Sequence, residues 1–264
     1  MDYEHLIVSR EGATLWVTMN RPERLNALNP RLIEELRHLF VDLYWKHDIR
    51  VVVLKGAGRG FCAGLDLKDR SGENTRRNVS DSLKGQRTIS EIVMAMRRCP
   101  QPIIALVNGA ASGGGFAFAL ASDVRIAAPE ARMNAAFIRI GLSACDIGVS
   151  YFLPRMVGSS VAAEYMLTGR FITAQRGYEL GLISKVVPQD KLDEEGRAMA
   201  NDMLHATPLG LRLTKEALNH AIDAQSLEAA IAMEDRNQIL CAQGEDFREG
   251  ISAFLEKREP NYSV

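Results

Sequence analysis

The stretch P-I-I-A-L-V-N-G-A-A-S-G-G-G-F-A-F-A-L-A-S-D, Pro102 to Asp123, decides the fold. Ile103 to Val107 form a short apolar run that fits a buried strand. The run breaks at Asn108-Gly109, passes Ala110-Ala111-Ser112 and reaches Gly113, Gly114 and Gly115. Phe116 to Ala121 then make a short helix that is apolar on every side, and such a helix has to be buried. Strand, glycine turn and buried helix put this unit at the centre of the molecule. The first turn of the helix carries unpaired N–H groups and the positive end of the dipole, and glycines let another molecule approach them. The turn therefore suits negative charge. Glycine runs also serve tight turns and close helix packing alone, and that reading stays open at this point. No G-x-G-x-x-G and no Gly-Lys-Ser/Thr occurs in the stretch, so it is neither a dinucleotide fingerprint nor a phosphate loop.

Composition narrows the rest. The chain has 264 residues, 47% hydrophobic and 25% charged, with formal net charge −1, which is ordinary globular composition. The length suits one large domain, or one domain with a helical appendage. A near-neutral balance with scattered Lys and Arg points away from nucleic acid and from an anionic membrane surface. No apolar stretch approaches the roughly 20 residues that span a bilayer. The first residues, M-D-Y-E-H-L-I-V-S-R, show neither a basic segment nor a signal-peptide core, so a cytoplasmic location is expected. Cys62, Cys99, Cys145 and Cys241 form no C-x-x-C and read as reduced thiols. The five histidines make no H-x-x-x-H pair, so no metal is expected.

The order of elements predicts an α/β protein. Residues 5–10 and 14–20 flank Glu11-Gly12-Ala13 as a β-hairpin. Asn29-Pro30 reads as an N-cap and first helical residue, and Leu32, Leu36, Leu39, Phe40 and Leu43 give an amphipathic helix to His47. Val51 to Leu54 read as a buried strand. Residues 69–81 are polar and irregular, a loop of the kind that borders sites. Helix follows at 82–98, strand at 124–127, helices at 161–168 and 173–180, and a last strand at 183–187. From Asp190 the pattern is all helix, which divides the chain into a core, residues 1–190, and a helical region, residues 191–264. No internal sequence repeat is apparent.

A second strand also ends in a glycine-bearing turn: R-G-F-C-A-G-L-D-L, Arg59 to Leu67. Two such turns in one domain can aim their N–H groups at one oxygen, which is oxyanion-hole geometry. F-C-A-G-L-D-L, N-G-A-A-S-G-G-G, R-P-E-R-L-N-A-L near the start and A-F-L-E-K-R near the end together resemble the crotonase superfamily, best known for enoyl-CoA hydratases and isomerases. The resemblance covers essentially the whole chain. It implies a crotonase-like spiral of ββα units with C-terminal helices that drive trimers, often paired as hexamers. It implies an acyl-CoA substrate, and no cofactor beyond the CoA moiety. By alignment, the N–H groups of Leu65 and Gly114 would hold the thioester oxygen. Arg24, Leu25, Ala27, Ala63, Gly64, Asp66 and Leu67 fall in the CoA-binding segments. Phe254 and Lys257 match residues that reach CoA from a neighbouring subunit, although Phe254 could equally be a helix-packing residue and Lys257 a solvated charge.

The resemblance also shows departures. Its hydratases use two glutamates as acid and base, and these positions hold Ala117 and Phe137, which transfer no proton. Together with Phe116 and Ile138 they describe a dry acyl pocket. The neighbouring G-L-S-A-C-D-I-G, Gly141 to Gly148, brings Asp146 to where dienoyl-CoA isomerases, chlorobenzoyl-CoA dehalogenases and naphthoate synthases carry an aspartate. The dehalogenase histidine falls at Ser90, which argues against dehalogenation. Asp146 is then a candidate general base or nucleophile, with a helix N-cap as the structural alternative. The expected function is an enoyl-CoA hydratase/isomerase-family enzyme working through a thioester enolate, with isomerisation favoured over hydration. The alternative is a non-catalytic acyl-CoA binder of the same fold.

Overall fold

The computed structural model describes residues 3–68 and 78–262. Its larger sheet has six strands among these residues, in the spatial order β1 (Leu6–Glu11), β2 (Thr14–Met19), β3 (Val51–Gly56), β5 (Ile103–Val107), β7 (Val124–Ala127) and β10 (Lys185–Val186). β1 and β2 are an antiparallel hairpin with Leu6 opposite Met19, and every further pairing is parallel. A second sheet runs β4 (Gly60–Cys62), β6 (Ala110–Ser112), β8 (Arg132–Asn134) and β9 (Ile172–Thr173). The chain visits the large sheet, then the small sheet, then a helix, and repeats. β3 and β4 are followed by α2 (Val79–Arg98), and β5 and β6 by α3 (Gly114–Ala121). This is the expected ββα spiral with helices at its C-terminal end.

Strand periodicity explains the layering. Side chains alternate between faces of a strand, so Val52, Leu54, Ile103, Ala105 and Val107 enter the inner core with Phe40, Phe61, Phe116 and Phe118. Val51, Val53, Ile104 and Leu106 point the other way, to a smaller cluster with Trp16, Leu192 and Ala200. Both faces are covered, as parallel strands require. The outer cover is the helix Leu192–Leu204, so the first helix past residue 190 packs on the spiral. α3 is buried at all eight positions. Each large apolar side chain there contributes about 1.5–3 kcal/mol by leaving water.

Several boundaries differ from expectation for local reasons. Residues 60–62 and 110–112, read as turns, are strands of the small sheet, because three-residue strands rich in Gly, Ala and Ser carry no readable period. The helix α1 (Pro30–Leu43), capped by the Asn29 side chain on Leu32 N–H, stops four residues short of His47. α2 begins at Val79, where Asn78 caps the N–H of Asp81. The helix α4 (Val149–Val157) was not expected, and its internal Pro154 is the reason. The strand expected at 183–187 is only Lys185–Val186.

Candidate functional site

Two turns meet at the N-terminus of α3. Residues 25–28 run beside residues 63–66: Ala63 N–H donates to Leu25 O (3.0 Å), Leu28 N–H to Gly64 O (2.7 Å) and Asp66 N–H to Leu28 O (3.0 Å). Gly64 has φ of 86°, and a Cβ there would lie 2.6 Å from Ser112 O and 3.4 Å from Gly114 N. Only glycine permits that conformation and that approach. The turn bearing Leu65 is thus pressed against the turn bearing Gly114. Among the described residues neither the Leu65 N–H nor the Gly114 N–H has an acceptor. Gly114 is the first residue of α3, so its free N–H also sits at the positive end of a dipole. The next glycine has a different duty. A Cβ on Gly115 would fall 2.0 Å from Cys62 O, so Gly115 exists for packing between the turns.

The loop around Leu25 is held by residues that the motif reading did not single out. Leu25 and Asn26 both adopt left-handed φ, 51° and 57°, a conformation that Asn tolerates and Leu rarely takes. Asn26 is fully buried; its Oδ1 accepts from Arg21 N–H, and its Nδ2 donates to Ala57 O and Gly60 O. Arg21 donates to Ala27 O and pairs with Asp66 at 3.0 Å. Both Arg21 and Asp66 are buried. The carboxylate of Asp66 therefore anchors the loop from inside, while Leu67 beside it is half exposed. Arg24, Leu25 and Ala63 are half-buried, and Ala27 and Gly64 are buried. Left-handed Asn26 between two motif residues was the signal available in the sequence.

The apolar residues expected at an acyl pocket lie in and around the glycine turn. The Phe137 ring lies over Gly113, with ring carbons 3.5–3.8 Å from where a Cβ would stand. Phe116 and Ala117 are fully buried in the inner core, against which Phe137 packs. Ile138 is partly exposed and covers Gly169. Ala117 offers the site a methyl group and no titratable atom.

The loop that carries Asp146 approaches the same turn through the next residue, Ile147. The Cδ1 of its neighbour Ile147 lies 3.8 Å from a Cβ built on Gly114, and Leu28 Cδ1 lies at 2.6 Å. Ile147 has φ of 34°, an outlier for a β-branched residue that costs on the order of 1–3 kcal/mol. The helix-cap alternative fails. α4 begins at Val149, its N-cap is Gly148, and no side chain caps it. Instead Asp146 Oδ1 accepts from Ile147 N–H (2.8 Å) and Gln86 Nε2 (2.5 Å). Among the described residues Oδ2 has no partner. Partial burial raises the Asp146 pKa above its ordinary value, and the two donors oppose the shift. Ser90, on the same helix as Gln86, donates to the Gln86 carbonyl.

Other expected site residues lie elsewhere. Phe254 is 83% exposed near the end of the helix Glu245–Glu256, so within one protomer it is not a packing residue. Lys257 is exposed with left-handed φ of 54°. Of the polar loop expected at 69–81, residues 69–77 lie outside the described residues. Among the described residues no three of His, Cys, Asp and Glu gather where they could hold a metal, and no helix is long and apolar enough to cross a membrane. At the glycine turn two backbone N–H groups without acceptors among the described residues meet an apolar ring, and Asp146 lies one residue from the Ile147 that reaches the same turn.

Comparison with known proteins fits this geometry. A family model described as enoyl-CoA hydratase/isomerase matches residues 9–264. The chain is 38% identical over 252 residues to a protein of Mycobacterium tuberculosis named probable enoyl-CoA hydratase EchA12, covering 94% of this chain and 88% of that one. It is 35% identical over 260 residues to the 1,2-epoxyphenylacetyl-CoA isomerase of Escherichia coli, covering 98% of each. A solved structure, the enoyl-CoA hydratase from Bacillus anthracis, matches with TM-score 0.92 and 34% identity over 98% of this chain and 99% of that chain. The relatives thus include proteins named for hydration and for isomerisation.

Proposed function

The chain belongs to the enoyl-CoA hydratase/isomerase family, and on that premise we propose that it isomerises an acyl-CoA thioester through an enolate, with Asp146 as the base. One observation carries the reading. Asp146 is half-buried with no partner on Oδ2 among the described residues, the next residue, Ile147, reaches Gly114, whose N–H, like that of Leu65, has no acceptor there, and Ala117 and Phe137 fall where the family's hydratases carry glutamates. In this reading Asp146 Oδ2 takes a proton from carbon conjugated to the thioester carbonyl. The electron pair moves onto the carbonyl oxygen, where the two N–H groups stabilise the charge more than they stabilise the ground state. The same carboxylic acid returns the proton at a different carbon, which shifts the double bond. Hydration additionally needs a group to activate water and one to protonate carbon, and one carboxylate is a poor substitute for two. One relative, of E. coli, is named as the isomerase of an epoxide, and others as hydratases.

The working form is proposed to be a trimer or a hexamer. The accessible surface is 14185 Å², against roughly 11,500 Å² expected for a globular chain of this mass. In an assembly Phe254 and Lys257 would be supplied to a neighbouring CoA site.

The test is solvent-deuterium exchange into a panel of enoyl- and dienoyl-CoA esters, run on wild type and on Asp146→Asn. Loss of a general base costs about 10²–10⁴-fold, so exchange should fall by that factor while CoA-ester affinity persists. Crotonyl-CoA hydration should be weak in wild type. The raised carboxyl pKa sets a direction for pH: Asp146 holds its proton to higher pH than an exposed aspartate, so the rate declines on acidification above the ordinary value of 3.8. Equal exchange in both proteins removes Asp146 from catalysis. No exchange with any ester in wild type leaves an acyl-CoA-binding protein.

A further inference from the structure

We infer that Gln86 is the positioning residue for Asp146, holding the carboxylate in the orientation that presents its free oxygen to substrate. The inference rests on the reading of Asp146 as base. Gln86 lies 60 residues earlier, on α2, and its Nε2 donates to Asp146 Oδ1 at 2.5 Å. A carboxylate only accepts, so the amide turns its NH2 towards it. The Ile147 N–H donates to that same oxygen at 2.8 Å. Two donors on Oδ1 leave Oδ2 as the basic atom and fix the plane of the carboxyl group.

Among the described residues Gln86 is the side chain that donates to this group. Among the described residues the influences on Asp146 are burial, the Ile147 N–H and the Gln86 amide, with no charged side chain among them. The charged neighbours on the same helix, Lys84, Arg87 and Glu91, line a separate depression with Glu34 and Arg37. On the loop side, Arg139 lies along Gly169. Ile147 holds a strained left-handed φ, so the loop does not orient Asp146 by relaxed backbone geometry alone. Gln86 is itself exposed, so its removal should leave folding intact.

The experiment measures α-proton exchange with an acyl-CoA substrate against pH for wild type, Gln86→Leu, Gln86→Glu, Asp146→Asn and the Gln86→Leu/Asp146→Asn double variant. Loss of a hydrogen bond to a charged group should lower kcat of Gln86→Leu about tenfold with little change in KM. Its acid limb should move to higher pH by up to about one unit, because a donor that favours the ionised form is gone. Gln86→Glu should move the limb further, since two adjacent carboxylates share a proton. The double variant should be no slower than Asp146→Asn, because the two residues act as one unit. An unshifted pH limb in Gln86→Leu, or losses that add in the double variant, overturns the assignment even if Asp146→Asn is inactive. Full activity in Asp146→Asn overturns the base reading and this inference with it.

Discussion

The spiral and the last helices solve burial in opposite ways. α3 is only eight residues long and every one is buried. The helix Leu227–Ala242 has sixteen residues and none is buried, although Leu227, Ile231, Ile239 and Leu240 are large and apolar. The neighbouring helix Glu245–Glu256 buries only Ala253, with Phe247, Ile251, Phe254 and Leu255 exposed. The spiral therefore closes its own core, whereas the C-terminal helices leave most of their large apolar side chains exposed. The difference teaches where each kind of function belongs. Fixed donor geometry sits in the part whose core is closed within the protomer, and the exposed apolar residues sit on the helices through which an assembly is proposed.

This contrast can be broken most strongly at Gly115. A methyl group there meets the Cys62 carbonyl at 2.0 Å, and a backbone atom in a packed core cannot give way cheaply. Gly115→Ala should lose about 3 kcal/mol of stability, seen as a large fall in denaturation midpoint. A midpoint close to wild type would mean that the two turns are not rigidly joined. A smaller effect on the protomer is expected at Ile239, exposed on its helix. Ile239→Asp should keep helical content and the spiral's melting behaviour while turning the assembly into monomers in sedimentation. A wild-type protein already monomeric at micromolar concentration would sink the contrast. The mildest effect concerns the chain's end. Arg258 binds Glu249 through both oxygens and, with the Asn261 N–H, holds its carboxyl down at about 2. A depressed carboxyl adds stability above its ordinary 4.5 and loses it as pH falls towards about 2. Amide protection of residues 257–262 should decline over that window, and Arg258→Gln should remove the pH dependence without touching the spiral. A decline identical in both proteins would show that Glu249 does not tether the end.

Much of the fold was legible because its signals are local. The hairpin, the Asn29-Pro30 helix start and the buried helix expected from Phe116 to Ala121 follow from period, cap and composition, and the structure places the first two within a residue and begins the buried helix two residues earlier, at Gly114. The small sheet was not legible, since Gly60–Cys62 and Ala110–Ser112 have strand geometry only because they pair with each other and with Arg132–Asn134. At the site, Leu65, Gly114 and Asp146 were named from motif positions, but Arg21 and Asn26 were not. Their importance lies in what they touch after folding, namely Asp66, Ala57 and Gly60.

The sequence by itself determined which segments must be buried, where glycine turns follow strands and that Ala117 and Phe137 carry no titratable group, because each of these depends on residue type at a position. Tertiary structure alone decided that Gly64 and Gly114 lie side by side, that Ile147 is packed near Gly114, and that Gln86 reaches Asp146 across 60 residues. Those relations depend on how parallel strands align and how each crossover returns to the sheet. Only a closed core sets such distances, and no local preference encodes them.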